Sequence, residues 1–367
     1  MSEFTAPEVA GRNIYWAMVK DNRGVLFAIL FLALLPFILA MIDGQPMNDL
    51  LANNAGQSKF YQGLLIEIFI LAVFAISYDL IFGITGLLSF GHAMFFGVGA
   101  YLTGILIKSF DMAVLPMLGL VVLAGIINAF LFGIVLPRVK GITFALVTLG
   151  IAEVFFIVIQ SRELADYAGA EIGLQGVTPP EFLNPATERL RFYYIALAFM
   201  FLVYFFYKRF VNSPTGRVCI ANRENENRAT MLGYNTFWFK MAALIISSIT
   251  AALAGSLHAV FHPIIRPEIA SLNFTIAALL IVLIGGIGTL SGALIGAAIF
   301  RLLSFGLDRY LGGTSQIIIG LVYIGIVLYL PYGIVGTWRS RSLDLKDGRK
   351  RLLKLFTGRS DEDQTEE

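Results

Sequence analysis

Ionisable side chains interrupt several of the most apolar stretches of this chain. Glu67, Asp79, His92, Glu153 and Arg301 each lie within long runs of aliphatic and aromatic residues. A charge at the centre of a bilayer costs ~2.5–3.5 kcal/mol on insertion scales, so such residues usually face protein or water. Asp79 and Glu67 fall near the ends of their runs, where structural hydrogen bonding is favoured. Glu153 lies mid-run and suits structure or function equally, and we expect Arg301 to pair with an acid.

Two histidines raise the question of a metal site. His258 and His262 are four residues apart, with Glu268 nearby. Pro263 follows at once, however, and zinc takes at least three protein ligands, so we predict no metal here. His92 is interpreted as a hydrogen-bonding residue at the start of a helix.

No other arrangement of reactive side chains predicts an enzyme. The single cysteine, Cys219, excludes an intrachain disulfide and a cluster of thiolate ligands. No nucleophile–histidine–acid arrangement stands out, and the sequence has no G-x-x-x-x-G-K-[ST] loop for ATP. No helix carries a ladder of arginines, which argues against a voltage sensor. We predict that this chain has no catalytic residue and binds no cofactor.

The composition identifies the elements that must position these side chains. The chain has 367 residues, of which 57% are hydrophobic and 14% charged, and its mean hydropathy is +0.77. Soluble domains are about 45–50% apolar and about 25% charged. These values exclude an ordinary soluble protein, and the net charge of +2 gives no indication of nucleic-acid binding. An integral membrane protein with many spans remains.

We predict an all-α polytopic membrane fold with about ten transmembrane helices, because lipid offers no hydrogen-bond partner for the backbone. The eighth stretch is short and is expected to be a broken helix. The ten apolar stretches are Val25–Ile42, Leu64–Phe82, Phe90–Ile107, Val114–Leu136, Thr143–Ile159, Phe192–Tyr207, Lys240–Phe261, Phe274–Ile284, Ser291–Gly306 and Ile317–Leu330.

Loop charge sets the expected orientation. With both termini cytoplasmic, 19 of the 27 basic residues fall on the cytoplasmic side, as the positive-inside rule requires. The predicted division is a cytoplasmic interfacial segment at 1–24, a transmembrane region at 25–331 and a basic then acidic cytoplasmic tail at 332–367. The largest cytoplasmic loop is expected at 208–239.

A glycine motif occurs twice and predicts an internal repeat of two halves. Gly83-Ile84-Thr85-Gly86-Leu87-Leu88-Ser89 and Gly285-Gly286-Ile287-Gly288-Thr289-Leu290-Ser291 both fit G-x-x-G-x-L-S, and each follows one apolar segment and opens the next. Transporters built from related halves bind substrate near such interrupted helices. Gly288, Gly292 and Gly296 are also spaced as a helix stripe, which first indicates close packing and equally suits a subunit interface or a translocation wall.

The large cytoplasmic loop contains sequence signals for a turn and a short helix, as expected of an element that docks against another protein. Ser213–Arg217 is predicted to form a turn, and Glu224–Leu232 a short polar helix that ends at Gly233, a favourable C′ residue. A charged face and an apolar side around Met231 and Trp238 suit a partner protein. The alternative is a solvated loop, although a mere connector rarely needs 28 residues.

These segments together resemble the permeases of branched-chain amino acid ABC transporters, and the LivM-like type fits best. The resemblance extends over most of Leu64–Pro331. It is carried by Gly86-Leu87-Leu88-Ser89-Phe90-Gly91-His92-Ala93, Gly97-Val98-Gly99-Ala100-Tyr101, Thr143–Glu153, Asn222-Arg223-Glu224-Asn225-Glu226, Gly233-Tyr234-Asn235, Ala251–Leu257 and Gly285–Ala293.

The resemblance implies two groups of functional residues. The loop that couples to the ATPase would comprise Arg223, Glu224, Glu226, Arg228, Ala229, Gly233 and Tyr234. Candidates for the substrate pathway are Gly83, Gly86, Ser89, His92, Thr148, Glu153, Gly285, Gly288 and Ser291. In one departure, Asn227-Arg228-Ala229 stands where the general ABC importer loop often has Glu-Ala-Ala.

The partners implied by the resemblance are a second homologous permease, two ABC ATPases that hold ATP and Mg²⁺, a periplasmic or surface substrate-binding protein and the lipid bilayer. No nucleic acid is implied. The cargo would be branched-chain or other neutral amino acids. Related permeases carry urea, so a urea or amide permease is one alternative. A stand-alone ion-coupled transporter, a channel and a membrane enzyme are the others.

Overall fold

The structure, a computed structural model, describes residues 23–44, 56–330 and 332–338. Within these ranges most residues are helical, and each of the ten predicted apolar stretches corresponds to a helix. Eight helices are long and apolar enough to cross a membrane, and two shorter apolar helices complete the ten. The all-α membrane fold is therefore confirmed. The predicted interfacial segment and tail lie outside the described residues, except for 23–24 and 332–338.

The first half of the chain contributes five long helices. α2 continues into a π-helical turn, Leu80–Ile84, and the long outer loop contains short 3₁₀ turns at Arg162–Leu164, Ala170–Ile172 and Glu181–Leu183. The elements are α1 (Arg23–Ile42), α2 (Gln57–Asp79), α3 (His92–Phe110), α4 (Val114–Gly133), α5 (Ile142–Gln160), the short α6 (Ala165–Ala168) and β1 (Leu174–Gln175).

The second half begins at α7 and includes the polar helix α8, which lies in the predicted cytoplasmic loop. The elements are α7 (Arg189–Val211), α8 (Pro214–Met231), α9 (Thr236–Phe261), β2 (Ile264–Ile265), α10 (Leu272–Gly285), α11 (Leu290–Leu311) and α12 (Ser315–Tyr329), with 3₁₀ turns at Pro267–Ala270 and Gly312–Thr314. β1 and β2 pair antiparallel with Leu174 opposite Ile265, which joins the two outer loops. The eighth apolar stretch is α10, only 14 residues long, and it ends at the second glycine motif as expected.

The core lies around α9 and α2. α9 packs against α2, α3 and α4, and α2 is buried along most of its length. Small residues allow the closest of these contacts, because a Cβ at Gly99 of α3 would collide with the Ala252 carbonyl of α9, and one at Gly255 of α9 with Phe96 of α3. Small residues at helix contacts are typical of membrane proteins, where apolar burial does not drive association.

Hydroxyl groups of α9 supplement this packing with hydrogen bonds between helices. Ser247 donates to the Ser77 carbonyl of α2 at 2.6 Å, and Ser248 donates to the Gly125 carbonyl of α4 at 2.8 Å. Such bonds contribute about 0.6 kcal/mol each on average in membrane proteins. They help to fix α9, the helix that follows α8, to two helices of the first half.

The predicted glycine stripe differs from the structure at its first residue. Gly288 precedes α11 and has φ of +73°, so it does not belong to the helix stripe. Gly292 and Gly296 do allow close packing, but against α10 of the same chain, because added Cβ atoms would collide with the carbonyls of Gly285 and Ile281. These two glycines therefore close the α10–α11 hairpin.

Candidate functional site

The two glycine motifs meet at the ends of the helices that lie next to α8. We call Gly83–Ser89 the first break and Gly285–Ser291 the second break. A Cβ on Gly83 would lie 2.5 Å from the Gly288 amide nitrogen, and a Cβ on Gly288 would lie 3.0 Å from the Gly83 carbonyl oxygen. Because glycine has no side chain, the two backbones can approach this closely. The sequence repeat thus becomes a direct contact between the two halves.

Asp79 anchors this contact from the last position of α2. Its carboxylate accepts a hydrogen bond from the Gly288 amide at 2.7 Å, and the residue is fully buried. A buried carboxylate requires such partners, because burying an isolated charge is very costly. The prediction that Asp79 serves structural hydrogen bonding is confirmed, and its partner is the second break.

The helix α8 reaches the same point from the cytoplasmic loop. Ser213 caps it by accepting a hydrogen bond from the Gly216 amide at 3.2 Å, and Pro214 occupies the first turn. The predicted turn at Ser213–Arg217 is therefore wrong beyond its first residue, because serine followed by proline begins a helix here. The first part of α8 is held against the spans through the buried side chains of Val218 and Cys219.

Arg223 connects α8 to both breaks. Its guanidinium donates a hydrogen bond to the Gly83 carbonyl oxygen, and a Cβ on Gly288 would lie 2.9 Å from its Nη1. Gly86, with φ of +80°, packs on the Cβ and Cγ of the same arginine. A side chain at Gly86 or Gly288 would displace this arginine. Arg223 is thus the side chain of α8 that contacts both breaks.

The second part of α8 is a separate short helix, as the sequence predicts. Asn225 has non-helical dihedrals (φ −161°, ψ 97°), and its side-chain oxygen accepts from the Arg228 amide at 2.9 Å, which caps the new helix. The helix ends at Gly233, whose φ is +91°, and the Tyr234 amide donates to the Ala229 carbonyl. This is the Schellman geometry, so the predicted C′ role of Gly233 is confirmed.

Glu226 fixes this second part of α8 to the membrane helices. Its carboxylate binds the Lys240 ammonium at 2.6 Å and the Thr236 hydroxyl at 3.1 Å, and Lys140 lies 3.4 Å away. Partial burial alone would raise the pKa of Glu226, but the hydrogen bonds and charges of these neighbours outweigh burial and lower it. The carboxylate is therefore a stable anion at neutral pH.

A largely exposed surface remains at the tip of the loop. Met231 is 86% exposed and Leu232 73% exposed, and Glu224, Arg228 and Tyr234 are exposed beside them. Ala229, by contrast, is buried against its own chain. Exposed apolar residues with a charged rim are typical of a protein-binding surface. This arrangement brings most of the predicted coupling residues to one surface.

The predicted pathway residues do not form one group. Ser89, His92 and Thr148 are fully buried in the chain, where the Phe90 amide donates to Thr148 at 3.2 Å and the His92 ring lies 2.9 Å from the Ser77 hydroxyl. Gly83, Gly86 and Gly288 surround Arg223, as described above. Gly285 is buried in the α10–α11 hairpin, and Ser291 lies half-buried in the first turn of α11. Glu153 is exposed on α5, away from all of these.

A second polar cluster lies toward the opposite ends of α2 and α11, away from the breaks. Arg301 of α11 pairs with Glu67 of α2, which confirms that Arg301 has an acidic partner. The His262 ring lies 3.8 Å from Glu67, and the His258 and His262 ring centroids are 4.1 Å apart. In the part of the chain that the structure describes, no three potential ligands are grouped so as to hold a metal ion.

The contact between Arg223 and Gly83 was missed by the sequence analysis, as was the Lys240–Glu226 ion pair. Each contact joins residues on different elements, so the spacing of residues along one helix gives no sign of it. One signal was present, since Arg223 and Gly83 both lie in motifs that the sequence analysis had singled out.

The fold and site define an all-α polytopic membrane protein whose two halves meet at paired helix breaks, next to the polar helix α8. The sequence profile of the family described as branched-chain amino acid transport system, permease component matches residues 60–328, and the chain belongs to this family. No solved structure shows a significant match.

Curated relatives are consistent with this assignment. The chain is 28% identical over 303 residues to the high-affinity branched-chain amino acid transport permease LivM of Escherichia coli K12. The alignment covers 75% of this chain and 70% of that LivM. It is 26% identical over 306 residues to LivM of Salmonella typhimurium LT2, and the alignment covers 76% of this chain and 70% of that LivM. The permease LivH of E. coli K12 is 26% identical to the chain over 290 residues, and the alignment covers 72% of this chain and 91% of LivH.

Proposed function

We propose that this chain is one permease subunit of an ATP-driven importer that carries branched-chain or other neutral amino acids across the bacterial cytoplasmic membrane. The observation that carries the proposal is the position of Arg223. This one side chain on the cytoplasmic helix α8 contacts both helix breaks. A motor that moves α8 would therefore act on both halves at once. The names of the relatives support the cargo class.

The proposal requires partners that this chain does not supply. We infer a second homologous permease, two ABC ATPases that bind ATP with Mg²⁺, and a periplasmic or surface binding protein that delivers the cargo. The chain itself acts as a permease and not as an enzyme. The separate names LivM and LivH among its relatives support a pair of unlike permeases.

The mechanism follows from the two parts of α8. An ATPase would seat against the exposed surface around Met231 and Leu232. ATP binding closes the ATPases and moves this surface, and the ion pairs of Glu226 transmit the movement to the start of α9. Arg223 transmits it to the two breaks. ATP shifts the permease between outward-open and inward-open states only by its different affinity for the two states.

The orientation is inferred from charge and from the site. Nineteen of the 27 basic residues lie in segments that are cytoplasmic when both termini are inside. The same orientation puts α8 and both breaks on the cytoplasmic side and the Glu67–Arg301 pair on the outer side. An ATPase in the cytoplasm could then reach α8.

The test is coupling between ATP hydrolysis and uptake. The complete transporter is reconstituted in liposomes, and ATPase activity and leucine uptake are both measured with saturating binding protein. We expect Arg223→Ala to reduce uptake per ATP by about tenfold or more, the effect of one charge-assisted hydrogen bond. Gly233→Pro and Glu226→Arg should also uncouple. Arg209→Ala removes an exposed arginine at the end of α7 and serves as the control.

Two outcomes would contradict the proposal. Unchanged coupling in Arg223→Ala, Gly233→Pro and Glu226→Arg would remove the role of α8. Amino acid uptake by the purified chain alone, driven by a proton or sodium gradient, would indicate an ion-coupled transporter. Uptake of urea instead of amino acids would change only the cargo.

A further inference from the structure

The carboxylate of Glu153 lies within a membrane span and takes no part in the contacts of the breaks or of α8. α5 has 19 residues and a length of about 28 Å. Glu153 lies about 16 Å from its inner end and about 10 Å from its outer end, so it is within the hydrocarbon region. A charge in the hydrocarbon region is unfavourable, and ionisable residues there mark functional sites by default.

Glu153 lies on the face of α5 that is turned away from its own chain. The opposite face packs inward through Ala145, Thr148 and Ala152, which are buried. The face that carries Glu153 is exposed from the inner to the outer part of the helix. It comprises Leu146, Val147, Gly150, Glu153, Val154 and Ile157, which recur at helical spacing.

The structure gives this carboxylate no ion pair or hydrogen bond with any residue in 23–44, 56–330 or 332–338. Contact with lipid would leave it uncompensated. The other intramembrane acids do not have this problem, since Asp79 binds the Gly288 amide and Glu67 pairs with Arg301. The missing partner must therefore come from outside the described residues, as water, protein or cargo.

The surroundings of Glu153 suit a small zwitterion with an apolar side chain. A Cβ on Gly150, one turn away, would have no atom within 4 Å, so the helix surface is open beside the carboxylate. Aliphatic residues flank it on the same face, including Val154 and Ile157, both more than 60% exposed. A carboxylate is the complement of an ammonium group, and the aliphatic residues are the complement of a branched apolar side chain.

We propose that this face of α5 lines a water-filled substrate path between this chain and the second permease, where the Glu153 carboxylate binds the α-ammonium group of an amino acid in passage. The inference rests on the proposed function and adds a contact between the chain and its cargo. The second permease closes the path from the other side. Glu153 is thus a substrate-contacting residue within the membrane.

The first experiment measures access of water to this face while Glu153 is intact. Cys219 is replaced by serine, and Ile157→Cys is compared with Ala152→Cys in the reconstituted transporter. Ile157 is 61% exposed on the Glu153 face, and Ala152 is buried on the other. We expect a cationic, membrane-impermeant methanethiosulfonate to label Ile157→Cys and not Ala152→Cys. Labelling of Ile157→Cys only by a lipid-soluble maleimide, or by neither reagent, would overturn the proposal.

The second experiment measures transport of leucine by Glu153→Gln and Glu153→Asp. Loss of a charge-assisted hydrogen bond should lower leucine uptake by about tenfold to hundredfold in Glu153→Gln. Glu153→Asp keeps the charge and should restore part of the uptake. Glu163→Gln makes the same change at an exposed acid outside the span and should leave uptake unchanged.

The results also separate this inference from the proposed function. If the wild-type complex couples ATP hydrolysis to leucine uptake and Glu153→Gln does so equally well, only the role of Glu153 fails. If the wild-type complex takes up no amino acid, the proposed function fails first. Equal losses in Glu153→Gln and Glu153→Asp, with normal assembly, would show that position and not charge matters, and would overturn the ammonium contact.

Discussion

The two helix breaks have the same sequence pattern and different anchors. The first break begins within a π-helical turn, Leu80–Ile84, after which the Thr85 hydroxyl donates to the Leu80 carbonyl at 2.8 Å. The Gly83 carbonyl of this break accepts a hydrogen bond from the Arg223 guanidinium. The second break has no such turn, and its Gly288 amide is bound by the Asp79 carboxylate. The first half of the chain thus supplies the acid, and α8 in the second half supplies the cation.

This difference shows that two copies of one motif can form a contact in which only one half supplies the anchoring acid. Asp79 lies four residues before the first break, and the residue four before the second break is Ile281. If both halves carried an acid there, two carboxylates would meet in one buried junction, where like charges are unfavourable. One acid suffices because the glycines bring the second break to it. The asymmetry is therefore part of the contact.

The largest expected effect comes from separating the two breaks. Gly83→Ala places a Cβ against the Asp79 carboxylate and 2.5 Å from the Gly288 amide nitrogen. Overpacking of this kind costs about 1–3 kcal/mol, and here it also displaces the anchor of the second break. We expect a clear drop in the thermal midpoint of the purified transporter and loss of uptake.

The control for this variant is Gly119→Ala. A Cβ on Gly119 of α4 meets no atom within 4 Å, so alanine there should be neutral or slightly stabilising through helix propensity. If Gly83→Ala behaved like Gly119→Ala, the breaks would not be in close contact.

Removal of the acid should affect the second break and leave the first in place. Asp79→Ala leaves the Gly288 amide without its acceptor in a buried site, at a cost of about 1–3 kcal/mol. Asp79→Asn keeps a side-chain oxygen for this amide and should lose less. Uptake and the thermal midpoint are measured for both, with Glu163→Ala, at an exposed acid outside the spans, as the control. A greater loss in Asp79→Asn than in Asp79→Ala would contradict the hydrogen-bond assignment.

The membrane architecture was predictable because its signals are local. Long apolar stretches predict spans, and a glycine motif between two of them predicts a break, so both were located correctly from the sequence. The C′ glycine at Gly233 was likewise predictable from a single turn of sequence. The extent of α8 was not, because Ser213 and Pro214 suit a turn as well as a helix cap.

The assembly of the site was not predictable, because it depends on contacts between distant residues. Nothing in the sequence near Arg223 indicates that it donates to Gly83, since the pair depends on how α8 lies under α2. The spacing of Gly288, Gly292 and Gly296 suggested one helix face, but the positive φ of Gly288 places it outside the helix. The contact with the Gly83 backbone sets the φ of Gly288, and the four-residue spacing of the glycines carries no information about that contact.

The smallest expected effect concerns Glu226, and it extends the comparison to an anchor that is open to solvent. The Glu226 side chain is 24% exposed, whereas Asp79 is fully buried. Glu226→Gln keeps a polar side chain and removes the charge that binds Lys240 and Lys140. We expect a loss of about 1 kcal/mol, less than for Asp79→Ala. The measurement is the thermal midpoint of the complex at pH 7.

The pH dependence of this variant tests the cause of the loss. The neighbours of Glu226 lower its pKa in the folded chain below the ordinary value of 4.5. The folded state then binds fewer protons than the unfolded state, so the stabilisation is complete above the ordinary pKa and is lost as the pH falls through the lowered one. The difference between wild type and Glu226→Gln should be constant from pH 7 to about 5 and disappear at lower pH. A difference that grows on acidification would mean that the carboxylate is not held as an anion by Lys240.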